Sequence, residues 1–219
     1  MGIWAATYGM LAHELRNHLN TVTLAVSAIK MGTVGMAGAT AGVLDRSLIA
    51  LRNLVDLTLA DVRVEAGMPG RQVAISVPEL MAELHVSNSL AATARGCKFS
   101  VVQGEGDISV HADRDMILSA VNNLLQNAFK FTQPGSEVIL RAHAVGERVL
   151  IDVQDHCGGL KSGDVEVMFM PFKQVGADKT GMGLGLSICR RSVEANGGTL
   201  SVRNVPESGC VFTIDWPRL

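Results

Sequence analysis

Aromatic residues are scarce in this sequence, which has two Trp, one Tyr and six Phe among 219 residues. A protein that binds nucleic acid by stacking bases on its side chains needs more rings than this. Positive charge is not in excess either, because 19 Lys and Arg residues are set against 21 Asp and Glu residues and the formal net charge is −2. Proteins that bind a phosphate backbone are normally basic. The composition therefore predicts that nucleic acid is not a partner.

Long apolar runs and closely spaced cysteines are missing as well. No run of about 18 apolar residues occurs, so no membrane-spanning segment is expected in this chain. The first residues lack the basic region and apolar run of a signal peptide. The four cysteines show no Cys-x-x-Cys spacing, which disfavours a zinc site or a disulfide framework; they are Cys97, Cys157, Cys189 and Cys210. These absences predict a soluble, cytoplasmic chain.

Proline is absent from residues 1–66, and the apolar residues there recur at helical spacing. Three glycines between residues 32 and 38 interrupt the pattern. The sequence therefore predicts a helical hairpin over residues 1–66. Its two apolar stripes are Leu11, Leu15, Leu19, Val22, Val26 and Ile29, and Leu44, Leu48, Leu51, Val55 and Val62. Because the hairpin alone cannot cover these stripes, we expect a homodimer to bury them in a four-helix bundle.

Residues 67–70 are predicted to be a linker, and the pattern changes after them. Residues 71–219 alternate short strand-like runs with helical segments. Strands are expected at 73–77, 98–102, 107–111, 137–145, 148–154, 199–203 and 210–216, and helices at 78–94, 113–131 and 184–196. Since 47% of the residues are hydrophobic and available for a core, this order predicts a two-layer α+β sandwich.

One face of the predicted helix 113–131 carries polar groups suited to a phosphorylated ligand. Asn123, Asn127 and Lys130 follow the spacing i, i+4 and i+7, which places them on one side of a helix. An amide oxygen is a suitable magnesium ligand, and a Lys ammonium supplies charge opposite to phosphate. The alternative is a helix face that is merely solvated.

An acidic residue with a glycine pair follows the predicted strand 148–154. Asp155 stands at the strand end, and Gly158 and Gly159 come shortly after it. A carboxylate in this position can accept a hydrogen bond from a ligand amine, while the glycines let the backbone approach closely. Asp and Gly also make ordinary turns, which is the alternative interpretation.

Three alternating glycines, Gly181, Gly183 and Gly185, run directly into the last predicted helix. Exposed backbone N–H groups and a helix N-terminus together suit a phosphate group. The spacing matches neither a Walker loop nor a dinucleotide-binding fingerprint. The alternative is a flexible hinge.

The three motifs, in this order, resemble those of the catalytic ATP-binding domain of bacterial sensor histidine kinases. That domain is part of a wider superfamily that includes gyrase, mismatch-repair and heat-shock chaperone ATPases. Residues 123–132 are similar to the asparagine box and 155–160 to the first glycine box. Residues 169–174 are similar to the phenylalanine box, and 181–186 to the second glycine box.

The resemblance implies a domain that binds ATP and Mg²⁺. It implies that Asn127 is the principal magnesium ligand, helped by Asn123, and that Lys130 contacts phosphate. It also implies that Phe131 lines the adenine pocket and that Asp155 accepts a hydrogen bond from the adenine amino group.

The glycine boxes complete the set of residues that the resemblance assigns to the nucleotide. The remaining cofactor-binding residues are Gly159, Leu160, Gly181, Gly183, Gly185 and Leu186. Residues 173–180 become a mobile lid over the triphosphate. The sequence departs from the family at Cys157, where Gly is usual.

The N-terminal region carries a second motif, because residues 13–20 resemble the histidine box of the dimerisation and phosphoacceptor domain. His13 and Asn17 lie away from the leucine stripe and should face solvent. An unprotonated imidazole is a competent nucleophile, and Glu14 is placed to orient or deprotonate it. The family commonly has Thr-Pro where this chain has Asn17 and His18, so a helix-kinking proline is absent.

The sequence thus predicts a protein-histidine kinase that phosphorylates His13 from ATP and passes the phosphoryl group to an aspartate of a response regulator. Asn17 adds an expected phosphatase activity toward that partner. Only 12 residues precede His13, so we expect a sensor region outside this chain. One alternative stays open: a module that binds ATP and dimerises without efficient phosphoryl transfer. A serine kinase or conformational ATPase of the same superfamily is disfavoured, because the histidine box precedes the ATP-binding domain at a fitting distance.

Overall fold

The computed structural model describes residues 2–35, 38–66, 71–104, 106, 108–161, 163–175, 183–205 and 208–219. Its helices are α1 (Gly2–Lys30), α2 (Ala39–Ala66), α3 (Val77–Ala94), α4 (Arg114–Phe131), α5 (Asp164–Met168) and α6 (Gly185–Ala195). Its strands are β1 (Gln72–Ser76), β2 (Lys98–Gln103), β3 (Ser109–Asp113), β4 (Glu137–Val145), β5 (Arg148–Gln154), β6 (Thr199–Val205) and β7 (Gly209–Pro217).

Every helix and strand predicted for residues 71–219 is present, with boundaries within two residues of the predicted ones. Strand β3 lies two residues later than the predicted 107–111, and its last residue, Asp113, caps α4 instead of belonging to it. The Asp113 side chain accepts a hydrogen bond from the backbone N–H of Met116, at 3.2 Å. This is the usual role of Asp before a helix. The short helix α5 was not predicted, because five residues are too few for a helical pattern.

The main sheet has five strands in the order β2–β4–β5–β7–β6. Strands β2 and β4 are parallel, whereas the other three pairs are antiparallel. Strands β1 and β3 form a separate antiparallel pair. On β5 the buried residues alternate along the strand, so Val149, Ile151 and Val153 face the core. Helices α3, α4 and α6 contact the strands, and the chain therefore has an α+β fold with a mixed sheet and helices.

A buried asparagine ties the start of α4 to the end of α6. The Asn196 side-chain oxygen accepts a hydrogen bond from the backbone N–H of Asp113, at 2.6 Å. Its amide group donates to the Ser192 carbonyl within α6, at 2.8 Å. Because Asn196 is only 4% exposed, these hydrogen bonds form away from water and fix the relative position of the two helices. The predicted asparagine face lies on α4, and the last two residues of the second glycine box, Gly185 and Leu186, begin α6.

Helices α1 and α2 contact each other, yet they leave large apolar side chains exposed. Leu15, Leu19, Leu48 and Val55 of the predicted stripes are all exposed. Leu54 behaves differently: it is fully buried and packs with Leu184 and Ile188 at the start of α6. Helix α2 therefore covers part of α6 with a residue that belongs to neither predicted stripe.

Candidate functional site

A cavity of about 210 Å³ opens between α4, the segment after β5 and the start of α6. Six of its lining residues were predicted from the sequence: Asn127, Phe131, Asp155, Gly159, Leu160 and Leu186. The other seven are Cys157, which lies in the predicted first glycine box, Val175, which lies in the predicted lid, and five residues that no sequence motif includes: Lys161, Asp164, Met168, Cys210 and Phe212. The structure thus brings together residues from all three motifs, in a cavity whose walls are mostly apolar.

The Asp155 carboxylate lies at the buried end of this cavity, where the side chain is 4% exposed. Its Oδ1 accepts hydrogen bonds from the backbone N–H groups of Cys157 and Cys210, at 3.1 and 2.9 Å. The Asp155 N–H in turn donates to the Cys210 carbonyl, at 3.0 Å. These bonds continue the pairing of β5 with β7 and fix the carboxylate in one orientation.

Gly209 makes this approach of β7 to Asp155 possible. A Cβ at position 209 would stand 2.1 Å from the Asp155 carbonyl oxygen, which is far inside van der Waals contact. Because the obstacle is backbone, it cannot move aside as a flexible side chain would.

We therefore expect Gly209→Ala to lower the free energy of unfolding by about 3 kcal/mol, since overpacking forces backbone shifts. Chemical denaturation monitored by circular dichroism measures it. Gly42→Ala is the matched control, because a Cβ there meets only the flexible Arg46 guanidinium at 3.1 Å. In helix α2 that change should stabilise by up to about 1 kcal/mol. Equal effects of the two variants would contradict the close approach.

The predicted asparagine face of α4 meets the start of α6. Asn123 donates its amide to the Ser119 carbonyl, at 2.9 Å, and its Oδ1 lies 3.3 Å from where a Gly185 Cβ would stand. The Asn127 amide nitrogen is 3.5 Å from the same point. The Lys130 ammonium lies 4.6 Å from the centroid of the Phe131 ring. Of these α4 residues, Asn127 and Phe131 line the cavity, whereas Asn123 and Lys130 do not.

The predicted first glycine box contacts a side chain that the sequence motifs do not include, that of Asn204. Gly159 has φ of 94°, and a Cβ there would meet the Asn204 side-chain oxygen at 2.8 Å. The same Asn204 oxygen accepts a hydrogen bond from the Leu160 N–H, at 2.9 Å. Asn204 lies on β6, so it supports the first glycine box from across the sheet.

In the second glycine box, Gly183 packs against the segment that follows the phenylalanine box. Gly183 has φ of 69°, and a Cβ there would stand 2.6 Å from the Lys173 carbonyl oxygen. The Gly183 carbonyl accepts a hydrogen bond from the Phe172 N–H, at 3.0 Å. Gly181 and residues 176–180 of the predicted lid lie outside the described residues.

The predicted phosphoacceptor residues lie on α1, and none of them lines the cavity. His13 and Asn17 are exposed, as the sequence predicts, while Glu14 is half-buried. The Glu14 carboxylate stands 3.9 Å from the Nε2 atom of His18, one turn further along the helix. The structure thus places Glu14 beside His18. That Glu14 orients or deprotonates His13 stays a prediction.

None of the helices in the described parts of the chain combines the length and the apolar character needed to cross a membrane.

Comparison with known proteins connects this geometry to a family. Residues 112–219 match the family described as histidine kinase-, DNA gyrase B-, and HSP90-like ATPase. The alginate biosynthesis sensor protein KinB of Pseudomonas aeruginosa is 29% identical over 206 residues, covering 92% of this chain and 35% of KinB. The sensor protein KdpD of Mycobacterium tuberculosis is 32% identical over 214 residues, covering 94% of this chain and 25% of KdpD. The chain thus spans about a third or less of these relatives.

Two solved structures share the fold over nearly the whole chain. Full-length ShkA in complex with AMPPNP superposes with a TM-score of 0.73 and 24% identity, covering 97% of this chain and 46% of ShkA. The histidine kinase ThkA in complex with the response regulator protein TrrA gives a TM-score of 0.65 and 22% identity, covering 99% of this chain and 62% of that chain.

Proposed function

We propose that this chain, which is similar to sensor histidine kinases along most of its length and matches the ATPase family over residues 112–219, is a two-component kinase core. In this proposal it phosphorylates His13 from ATP and transfers the phosphoryl group to a response regulator. The observation that carries the proposal is the cavity in which Asn127, Asp155 and Leu186 converge from three separate motifs.

The cavity suits an adenine base at its buried end. Asp155 presents a carboxylate whose Oδ1 is occupied by two backbone N–H groups, so Oδ2 is the oxygen to accept a hydrogen bond from the adenine amino group. The apolar walls, among them Met168, Leu186 and Phe212, exclude water from that hydrogen bond. The complex of ShkA with AMPPNP, a protein of the same fold, supports an adenine nucleotide here.

The residues beside the cavity fit a magnesium ion and a phosphate chain. The NH₂ group of Asn123 donates to the Ser119 carbonyl, which leaves the Asn123 Oδ1 as an acceptor. An amide oxygen of this kind suits Mg²⁺. Gly185 leaves the space in front of Asn123 and Asn127 that a side chain would fill. When bound, Mg²⁺ supplies positive charge that neutralises the phosphates. Asn123 and Asn127 would hold the ion, while Lys130 and the N–H groups at the start of α6 would face phosphate.

His13 is the proposed phosphoacceptor, because it is exposed on α1 in the segment that resembles the histidine box. An unprotonated imidazole nitrogen attacks the γ-phosphorus in line, the bond to the bridging oxygen breaks, and ADP leaves. The proton on the other ring nitrogen passes to a base, for which Glu14 is the proposed group. Since His13 does not line the cavity, the ATP-binding domain has to move toward α1 before transfer.

A homodimer through α1 and α2 is the proposed assembly. Leu15, Leu19, Leu48 and Val55 are exposed on these helices, and surface leucines arranged in stripes favour burial against a second copy. Four helices, two from each protomer, would form the bundle.

The proposed partner is a receiver domain that docks near His13, in the cytoplasm. The complex of ThkA with the response regulator protein TrrA, in the same fold, supports such a partner. The four cysteines are free thiols, which is typical of a reducing compartment.

Incubation with labelled ATP and Mg²⁺, followed by acid or base, tests the kinase proposal. We expect a label on the protein that is lost in acid and stable in base, as phosphohistidine requires. An acid-stable label would indicate a serine kinase, and an unlabelled protein that still binds ATP would indicate a regulatory module. Either of these results contradicts the proposal.

Asn17 is proposed to let the same protein remove phosphate from its partner. It is exposed one turn after His13 on the same side of α1, where it can reach an aspartyl phosphate docked beside His13. A carboxamide accepts one hydrogen bond from a water and donates another, which orients that water for in-line attack.

We expect Asn17→Ala to slow dephosphorylation of the phospho-regulator by about tenfold or more, because the water loses its positioning group. Autophosphorylation of the same variant should be unchanged. Asn20→Ala, another exposed asparagine on α1, is the matched control and should keep both activities. If Asn17→Ala dephosphorylates the regulator as fast as the wild type, the phosphatase role is wrong.

A further inference from the structure

Two cysteines and a carboxylate meet in the wall of the cavity, although they are far apart in the sequence. The Sγ atoms of Cys157 and Cys210 are 3.4 Å apart. The two sulfur atoms and an Asp155 carboxylate oxygen all lie within 4.8 Å of one another. No Cys-x-x-Cys spacing marks this cluster. The pairing of β5 with β7 brings the segment after β5, which contains Cys157, next to Cys210, 53 positions later in the sequence.

The spacing of the ligand atoms suits one tetrahedral metal ion. With Zn–S bonds of about 2.3 Å, two sulfurs in a tetrahedral zinc site are separated by roughly 3.8 Å. The sulfur separation in the structure therefore needs to widen by only a few tenths of an ångström. A carboxylate oxygen as third ligand leaves a fourth position for water.

The three ligands are already held together by backbone hydrogen bonds. Asp155 Oδ1 accepts from the N–H groups of both Cys157 and Cys210, and the Asp155 N–H donates to the Cys210 carbonyl. Gly209 permits this close packing next to Cys210. A metal ion entering the site would therefore have to order little of the surrounding chain, which favours binding.

The chemistry of the pair selects a thiophilic ion over magnesium. Thiolates prefer zinc and other soft or borderline cations, whereas magnesium prefers oxygen ligands. A hydrogen bond donated by the Cys210 thiol lowers the pKa of Cys157. The same hydrogen bond, together with burial, raises the pKa of Cys210. Because both sulfurs bind a metal as thiolates, a divalent cation would release the thiol protons of Cys157 and Cys210 to solvent.

We propose that Asp155, Cys157 and Cys210 form a binding site for a thiophilic divalent cation, with Zn²⁺ as the ion that the ligand set fits best. All three residues line the cavity, and Asp155 is the residue proposed to accept the adenine amino group. The second half of the inference, which rests on the proposed function, is that the ion and the adenine nucleotide exclude each other. Zinc would then inhibit the kinase from within its own nucleotide site.

Metal binding is tested first, without nucleotide. The full chain, kept reduced with a phosphine, is titrated with Co²⁺ and then with Zn²⁺. We expect one Co²⁺ per chain, a sulfur-to-cobalt charge-transfer absorption, and its disappearance as Zn²⁺ displaces Co²⁺. Cys157→Ser and Cys210→Ser should each lose that absorption and bind Zn²⁺ at least about tenfold more weakly.

Cys97→Ser is the matched control, because Cys97 is a buried thiol that hydrogen-bonds the Ala92 carbonyl and does not line the cavity. It should bind both ions as the wild type does. Melting curves without metal show whether each variant is folded. Cys157 is only half-buried, so Cys157→Ser is less disruptive to the fold than Cys210→Ser. Wild-type cobalt absorption in folded Cys157→Ser would overturn the metal site.

Competition is tested next, by measuring the affinity for a fluorescent ATP analogue at several buffered concentrations of free Zn²⁺. Wild-type protein should bind the analogue about tenfold more weakly when the site is filled. In Cys157→Ser, zinc should weaken binding of the analogue by less than about twofold. Any weakening that remains in this variant measures direct chelation of the nucleotide by zinc. Equal inhibition of both proteins would contradict the competition. A protein that binds Zn²⁺ but never the analogue would instead contradict the proposed function.

Discussion

His13→Ala should abolish autophosphorylation while the protein still binds ATP. His13 is exposed on α1 and does not line the cavity, so its removal takes away the nucleophile without disturbing the nucleotide site. A surface substitution of this kind usually changes stability by no more than about 0.5 kcal/mol, and we expect ATP affinity to stay within about threefold. Labelled phosphate on the protein measures the first effect, and a nucleotide titration the second.

His18→Ala is the matched control for this prediction. His18 lies near His13 on the same helix and stands 3.9 Å from the Glu14 carboxylate, so it is the other imidazole to which a phosphoryl group could go. We expect His18→Ala to keep autophosphorylation. If His13→Ala is labelled at the wild-type rate and His18→Ala is not, His18 is the phosphoacceptor and the assignment of His13 is wrong.

Asp155→Asn should weaken ATP binding by about 2 to 3 kcal/mol, or roughly 30- to 150-fold. The new side chain has the same shape, and its oxygen can still accept hydrogen bonds from the Cys157 and Cys210 N–H groups. That arrangement puts the amide NH₂ where Oδ2 was, so two donors face each other when adenine binds. The fold should therefore survive while adenine recognition is lost.

Guanine nucleotides give this prediction a control. Guanine carries an oxygen where adenine carries its amino group, so the asparagine NH₂ should accept guanine better than the aspartate does. We expect the ratio of ATP to GTP affinity to fall in Asp155→Asn, as measured by titration with both nucleotides. An unchanged ratio, with the protein folded, would place the adenine pocket elsewhere.

Local patterns in the sequence were enough to predict most of the elements and, in the cavity, Asn127, Asp155 and Gly159; the family resemblance added Phe131, Leu160 and Leu186. Asn127 and Phe131 follow helical spacing on α4, and Asp155 and Gly159 follow the end of β5, so neighbours in sequence stay neighbours in space. These signals depend on short-range periodicity and on glycine, and the structure confirms the elements that carry them.

The rest of the site depends on strand pairing, which no short window of sequence records. Cys210 and Phe212 reach the cavity because β7 pairs with β5, with Val211 opposite Gln154. Asn204 supports the first glycine box from β6 for the same reason. Likewise, the helical spacing in residues 1–66 does not mark Leu54 as buried, because its partners, Leu184 and Ile188, lie at the start of α6, more than a hundred residues away.

Mass-spectrometric mapping of the phosphorylated residue after incubation with MgATP tests the kinase proposal most directly. The digestion has to be carried out at neutral to basic pH, because phosphohistidine is lost in acid. We expect a single phosphorylated site at His13, absent from His13→Ala and from wild-type protein incubated without Mg²⁺. Phosphate on a serine, on threonine or on a histidine other than His13 would contradict it.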